Sequence, residues 1–316
     1  MGGGPMGPMV ARRERGAAIL TALLVVSLAA VIVSALFYRE SVAVRSIENR
    51  LSLSQTRWVE RAALDWAKVI LRADMRTGPV DHLGEPWAVP VLDTRMDETV
   101  TAGARIDEGA RNAVLAGQIV DAQSRFNLAA LAGANGVPSD AHLKALRKLL
   151  SLLGRPESAA DLILARVLQS VPRTFEGRVV PAQRPPMTRI ADLLDIPAMD
   201  PATVAALEPH TIVLPRGTSV NVNTAAPEVL AALIEPLDLS SARRFVARRE
   251  RTFYRTLDQA AGELGGTTTL NPSLLTVGSA FFLVTGVIRY DRVESQTETL
   301  LERMSDRVEV VWQLRL

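Results

Sequence analysis

One peptide bond is the first place where this sequence points to chemistry. Arg12-Arg13-Glu14-Arg15-Gly16 is followed at once by an uncharged apolar run from Ala17 to Tyr38. A secretory signal has a shorter apolar core, with its small-residue cleavage site behind it. Here the candidate scissile bond, Gly16–Ala17, lies ahead of the run, so cleavage would leave the apolar helix on the mature chain. As a helix the run reaches about 33 Å, enough for a hydrocarbon core of about 30 Å. Two plainer readings compete. One is a signal anchor in which Gly16 has no role. The other is a cleaved export signal with Val33-Ser34-Ala35 as its small-residue site. Each keeps the arginines cytoplasmic and puts everything after Tyr38 outside. Residues 1–11, rich in Gly and Pro, read as a disordered leader.

Other reactive chemistry is sparse. The 316 residues contain no cysteine, which excludes disulfides, thiol nucleophiles and thiolate metal sites. His82, His142 and His210 are scattered, with no HExxH pair. There is no G-x-S-x-G elbow and no phosphate-binding G-x-x-x-x-G-K-[ST] loop; Gly265-Gly266, followed by threonines, reads as a turn. The pattern points away from an enzyme. Oxygen ligands suited to calcium are available in Asp93, Asp97, Glu98, Asp291, Glu294 and Glu298, which are expected in loops. None has EF-hand spacing, so each reads as a solvated surface carboxylate. A net charge of +2 gives no strong field for nucleic acid.

These features need elements to hold them. From Arg39 to Arg76 there is no Gly or Pro, and Ile47, Leu51, Trp58, Ala62, Trp66 and Val69 recur on one helical face. The expectation is one long helix that leaves the membrane and packs into the soluble part along that stripe, ending at Thr77-Gly78-Pro79. Residues 80–98 read as loop. Strands are expected at 100–106 and 115–122, joined by an Asp107-Glu108-Gly109 turn. Residues 126–275 read as helices (143–153, 159–168, 203–207) broken at Pro172, Pro181 and Pro185-Pro186. Strand character returns at 280–290 and 308–316. The order predicts an α+β fold in which a sheet is interrupted by an all-helical insertion.

Two asparagine-containing stretches sharpen this. Ile119-Val120-Asp121-Ala122-Gln123-Ser124-Arg125-Phe126-Asn127-Leu128 resembles a D-x-x-G-R-x-N-L-N motif, and Ser219-Val220-Asn221-Val222-Asn223-Thr224-Ala225 through Leu230 resembles x-N-V-N-T-A-x-x-E-V-L. With the glycine placed before the apolar run, as in type IV pilin-like precursors, the chain resembles the general secretion pathway protein K family of minor pseudopilins. Ser124 and Ala129 depart from the motif, where glycine and asparagine are usual. The resemblance implies a type IV pilin-like fold, a long N-terminal helix packed on an antiparallel sheet, with an insertion holding SAM-like or helix-hairpin-helix-like elements. Its domains would be a leader (1–16), a transmembrane helix (17–38), a divided head (39–125 and 276–316) and the insertion (126–275). It also implies cleavage between Gly16 and Ala17 by a prepilin peptidase, residence in the inner membrane with the head in the periplasm, and partners among the I- and J-type minor pseudopilins. Calcium in the head is implied too, with no ligands assigned. Asp121, Asn127, Asn221 and Asn223 are the structural motif residues; Asn221 and Asn223 are expected to bond local backbone and cap a helix beginning near Pro227.

Most pilin-like chains carry a glutamate five residues after the cut, where it pairs with the free amino terminus of the subunit above. Here that residue is Thr21. A bilayer carboxylate costs on the order of 2.5–3.5 kcal/mol, so a subunit with no neighbour above gains by lacking it. The insertion, too bulky to be stacked upon, fits the same place at a fibre tip, with Ile47, Leu51, Trp58 and Trp66 packing below. Residues 221–244 also resemble DNA-binding helix-hairpin-helix repeats. Their hairpin, Ile234-Glu235-Pro236-Leu237-Asp238, has no glycine, one missing amide and two carboxylates, which argues against phosphate contact. Arg243, Arg244, Arg248, Arg249 and Arg251 read as a solvated face. The alternative of another class is a signal-anchored periplasmic binding protein that never polymerises.

Overall fold

The computed structural model describes residues 2, 11–95, 113–133, 136–175, 178–265, 268–290 and 293–316. The chain divides into two units, residues 1–58 and 59–316. The first consists of the leading part of helix α1 (Ala11–Met75). From Ala17 this helix is long and apolar enough to cross a membrane, and its apolar side chains, Ile19, Leu23 and Leu36 among them, are exposed. Gly16 lies inside α1.

In the second unit the rest of α1 lies on a five-stranded antiparallel sheet, ordered β1 (Val91–Arg95), β2 (Val114–Asp121), β9 (Phe281–Tyr290), β10 (Val293–Arg303) and β11 (Val308–Arg315). The helix face against the sheet is Val59, Ala63, Leu64, Ala67, Ile70 and Leu71, packed with Trp87, Leu115, Ile119, Phe282, Ile288 and Leu301. This corrects the expected stripe. Trp58, Trp66 and Val69 are 66%, 45% and 58% exposed, and Ile47 and Leu51 are exposed as well. Small side chains let a helix settle close on a sheet, which is why the packed face is richer in alanine than the tryptophan face.

Residues 91–95, expected in a loop, form edge strand β1 behind a short 3₁₀ turn (Pro86–Ala88). Strand β10 was not expected at all. The strand predicted at 100–106 and its Asp107–Gly109 turn lie outside the described residues.

Strands β2 and β9 are sheet neighbours, with Asp121 opposite Phe282. The whole insertion leaves after one and returns before the other. It holds α2 (Asp140–Leu152), α3 (Ala159–Gln169), α4 (Pro201–Leu207), α5 (Pro227–Leu233), α6 (Leu239–Arg249) and α7 (Leu257–Leu264). It is not purely helical. Short pairs join β3 (Phe126–Asn127) to β6 (Thr211–Ile212), β4 (Arg173–Phe175) to β5 (Arg178–Val180), and β7 (Val220–Asn221) to β8 (Leu275–Thr276). Leu146, Leu149, Leu150, Ile163, Leu230 and Phe245 anchor an apolar core of the insertion's own.

Candidate functional site

Three places carry the residues singled out above. The first is the membrane helix. Thr21 Oγ1 donates to the carbonyls of Ala17 and Ala18, at 3.1 and 2.9 Å, so its hydroxyl is satisfied within the helix backbone.

The second is the exposed face of the stem. Trp66 stands at the rim of a cavity of about 70 Å³ between α1 and the sheet, whose walls include Ala63, Ala67 and Trp87 and whose floor is Gly117 and Gly286. Those glycines face each other across β2 and β9. At Gly117 a Cβ would meet the Thr285 carbonyl oxygen at 2.7 Å, so close strand approach excludes a side chain there.

The third is the joint between insertion and head, where the motif residues gather. Asp121, at the end of β2, accepts from Gln123 N (2.7 Å), Thr224 Oγ1 (2.6 Å), Ser279 Oγ (2.7 Å) and Asn221 Nδ2 (3.0 Å). Asn221 Nδ2 also donates to the Asp81 carbonyl, while its Oδ1 accepts from Asn223 N. Asn223 bonds both backbone groups of Tyr254. Neither asparagine caps the helix at Pro227, whose N-cap is Ala226 without a side-chain bond. Asn221 keeps the expected bond to local backbone through Oδ1, but the expected cap is absent, and the Nδ2 groups of both asparagines are cross-links over long sequence distances. Asn127 likewise ties β3 to residues 214–218 through Leu214 N, the Arg216 carbonyl and Thr218 Oγ1.

Sequence reasoning missed the centre of this joint, Arg303 on β10. Its Nη1 donates to Asp74 Oδ2 at 2.6 Å, and its Nη2 to both Asp81 oxygens at 2.6 and 2.7 Å and to the Ser279 carbonyl. Its guanidinium lies 4.6 Å above the Phe282 ring. Glu85 accepts from His82 N and Trp87 Nε1. Burial pushes the Asp121 carboxyl up, and burial holds Asp81 at about 6 despite Arg303. Asp74 is raised by burial and then by the neighbouring Glu85. The signal that could have found Arg303 is its alternation with Ser295, Thr297, Thr299 and Leu301, which puts it on the inward face of the strand.

Family models described as type II secretion system protein K match residues 124–216 and 220–278. Relatives carrying that name align along nearly the whole chain. The Pseudomonas aeruginosa protein is 29% identical over 95% of this chain and 92% of its own length. The Pectobacterium carotovorum protein is 27% identical over 95% of each. The chain belongs to the type II secretion system protein K family. Its members are minor pseudopilins of that system, structural components, and this chain is one. The fold is also that of a chain in the crystal structure of the GspK-GspI-GspJ complex from the enterotoxigenic Escherichia coli Type 2 Secretion System. The TM-score is 0.66, with 22% identity over 85% of this chain and 98% of that one. The two family matches meet at the joint: Asn127 lies in one, Asn221 and Asn223 in the other.

The calcium implied by the resemblance can be tested against the carboxylates. Asp97, Glu98 and Asp291 lie outside the described residues. Asp93 and Glu294 sit on strands, not in loops, and both pair with Arg289; Glu298 is also on a strand. Among the described residues, Asp74, Asp81 and Glu85 bring carboxylate oxygens within 4.8 Å of one another. That group does not fit calcium, because the Arg303 guanidinium already holds its centre.

In the helix-hairpin-helix-like part, the hairpin at 234–238 offers carbonyls to Lys148, at Ile234 and Leu237, and Glu235 to Lys144. Arg249 departs from the solvated face expected: it is buried, with Nη1 on the Val222 carbonyl, and desolvation lowers it to about 10.

Proposed function

We propose that this minor pseudopilin ends the pseudopilus, initiating and capping the fibre that drives export of folded proteins across the outer membrane. The observation that carries this is where the insertion leaves the sheet. Asp121 and Phe281 lie at the end of the sheet beside Arg303, which also bonds Asp74 in the last turn of α1. The insertion therefore covers the end of the head at which the stem helix stops, the surface on which a further subunit would have to stack. Thr21, self-satisfied and uncharged, supports the same place, as it offers no carboxylate to a subunit above. The exposed tryptophan face suits packing against I- and J-type minor pseudopilins, named for the related Escherichia coli complex. In this reading a prepilin peptidase cuts after Gly16, and the chain waits in the inner membrane with its head in the periplasm.

The test replaces residues 122–280 with a short Gly-Ser turn. Asp121 and Phe282 are already paired, and Arg303 keeps Asp74 and Asp81. With this variant folded and processed, pseudopili made under overexpression should lengthen. Unchanged length would overturn capping by the insertion. The mature amino terminus separates the non-polymerising alternative: a start at Ala17 supports a pseudopilin, an intact leader an anchor, and a start at Leu36 a cleaved export signal.

A further inference from the structure

The joint has more buried acid than its one guanidinium can balance. Taken element by element, α1 contributes Asp74 and the following loop contributes Asp81, His82 and Glu85. The end of β2 contributes Asp121, and β10 contributes Arg303. The insertion faces them with neutral donors, Asn221, Thr224 and Ser279; the nearby Arg249 spends Nη1 on the Val222 carbonyl. His82 lies 3.9 Å from Glu85, partly exposed and stacked on Phe253 of the insertion. Fully ionised, three buried aspartates and the partly buried Glu85 would share one arginine. The cost of burying unpaired charge is large enough that such groups keep a proton instead. The carboxylates of Asp74 and Glu85 lie within 4.8 Å of each other, so Glu85 opposes ionisation of Asp74.

We propose that this joint is a proton-linked latch between insertion and head, closed when at least one of Asp74, Asp81 and Asp121 carries a proton and loosened when all three are ionised. The inference does not depend on the place of the chain in a fibre, since it rests on the joint alone. The direction follows from linkage. Each raised carboxyl binds more protons folded than unfolded, so stability is greatest in mild acid and falls as pH rises through about 4 to 6 and beyond. This is opposite to the usual acid weakening of a carboxylate ion pair. Apart from Arg303, the contacts of the latch lie at 74–85, 121–124, 219–224 and 277–281, so loosening should be local to those segments.

The full chain in detergent supplies the test. Its thermal midpoint should fall by about 5–10 °C between pH 4.5 and 7.5. Amide exchange, corrected for its intrinsic pH dependence, should rise at 219–224 and 277–281 before it rises in α2. Glu85→Gln and Asp74→Asn each replace an acid by a neutral group of the same shape that keeps one oxygen for its donors, and each should flatten the slope by about half while holding the midpoint at pH 7.5 level or higher. A midpoint that is flat or rises over this range would overturn the latch, as would a slope unchanged in both variants. If excess calcium chloride at pH 7.5 restores the acid midpoint and a chelator removes it, the surplus charge is met by a cation and the proton assignment is wrong.

Discussion

The insertion and the head are stabilised in different ways. The insertion buries leucines, isoleucines and alanines from six helices around one apolar core, and the charged side chains buried with it, among the described residues, are Arg166 and Arg249, with no buried carboxylate beside them. The head has thinner clusters, a helix resting on a sheet whose inward face includes Ser295, Thr297 and Thr299, and charges inside: Arg303 with two aspartates, and Glu60 holding Ser295 Oγ (2.6 Å) and Arg315 (2.5 Å). A hydrocarbon core tolerates rearrangement; an ion cluster does not.

The sharpest way to break this comparison is at Arg303. Arg303→Leu strands two buried aspartates, and should cost about 3–5 kcal/mol in denaturant unfolding, with the head losing exchange protection first. If the loss is small, the head is apolar-stabilised after all. In the insertion, Leu149→Ala should cost about 2–5 kcal/mol through transfer and cavity terms, with protection lost in α2, α3 and α5. At the joint, Gly278→Ala drives a Cβ into the Pro79 carbonyl oxygen, so backbone must shift, at about 1–3 kcal/mol; a neutral result would show a looser joint than described. Smallest in stability is Trp66→Ala, which should stay within about 0.5 kcal/mol because the ring is half exposed. Secretion by the Trp66→Ala strain should nonetheless fall, and full secretion would remove the tryptophan face from the fibre contacts.

Much of this architecture was legible in the residues. The uninterrupted α1, the strands and the helical stretch between them place the helix and the insertion in the right order. What failed did so for physical reasons. β10 alternates Glu294, Gln296 and Glu298 with Ser295, Thr297 and Thr299, so neither face reads as hydrophobic. The packed side of α1 was overlooked because close helix–sheet contact favours Ala63 and Ala67, while large Trp58 and Trp66 dominate any hydrophobic pattern. Asn221 bonds nearby backbone at Asn223 N as expected, but the partners of the two Nδ2 groups, Asp81, Asp121, Tyr254 and Val277 among them, are distant in sequence and so invisible in it. The joint is invisible until β2, β9 and β10 are side by side.

That the chain leaves β2 and re-enters at β9, its immediate neighbour, also bears on the order of folding. Topologically these strands are a hairpin whose turn is about 160 residues long. Closing so long a turn costs only about 0.6 kcal/mol more for each doubling of length, so equilibrium hardly notices it. Rate does, because pairing across such a distance must wait for a rare encounter of the ends. An insertion that folds first brings Asp121 and Phe281 together and turns the distant pairing into a local one. During export, the helical domain would then act as the nucleus on which the head of the pseudopilin is assembled.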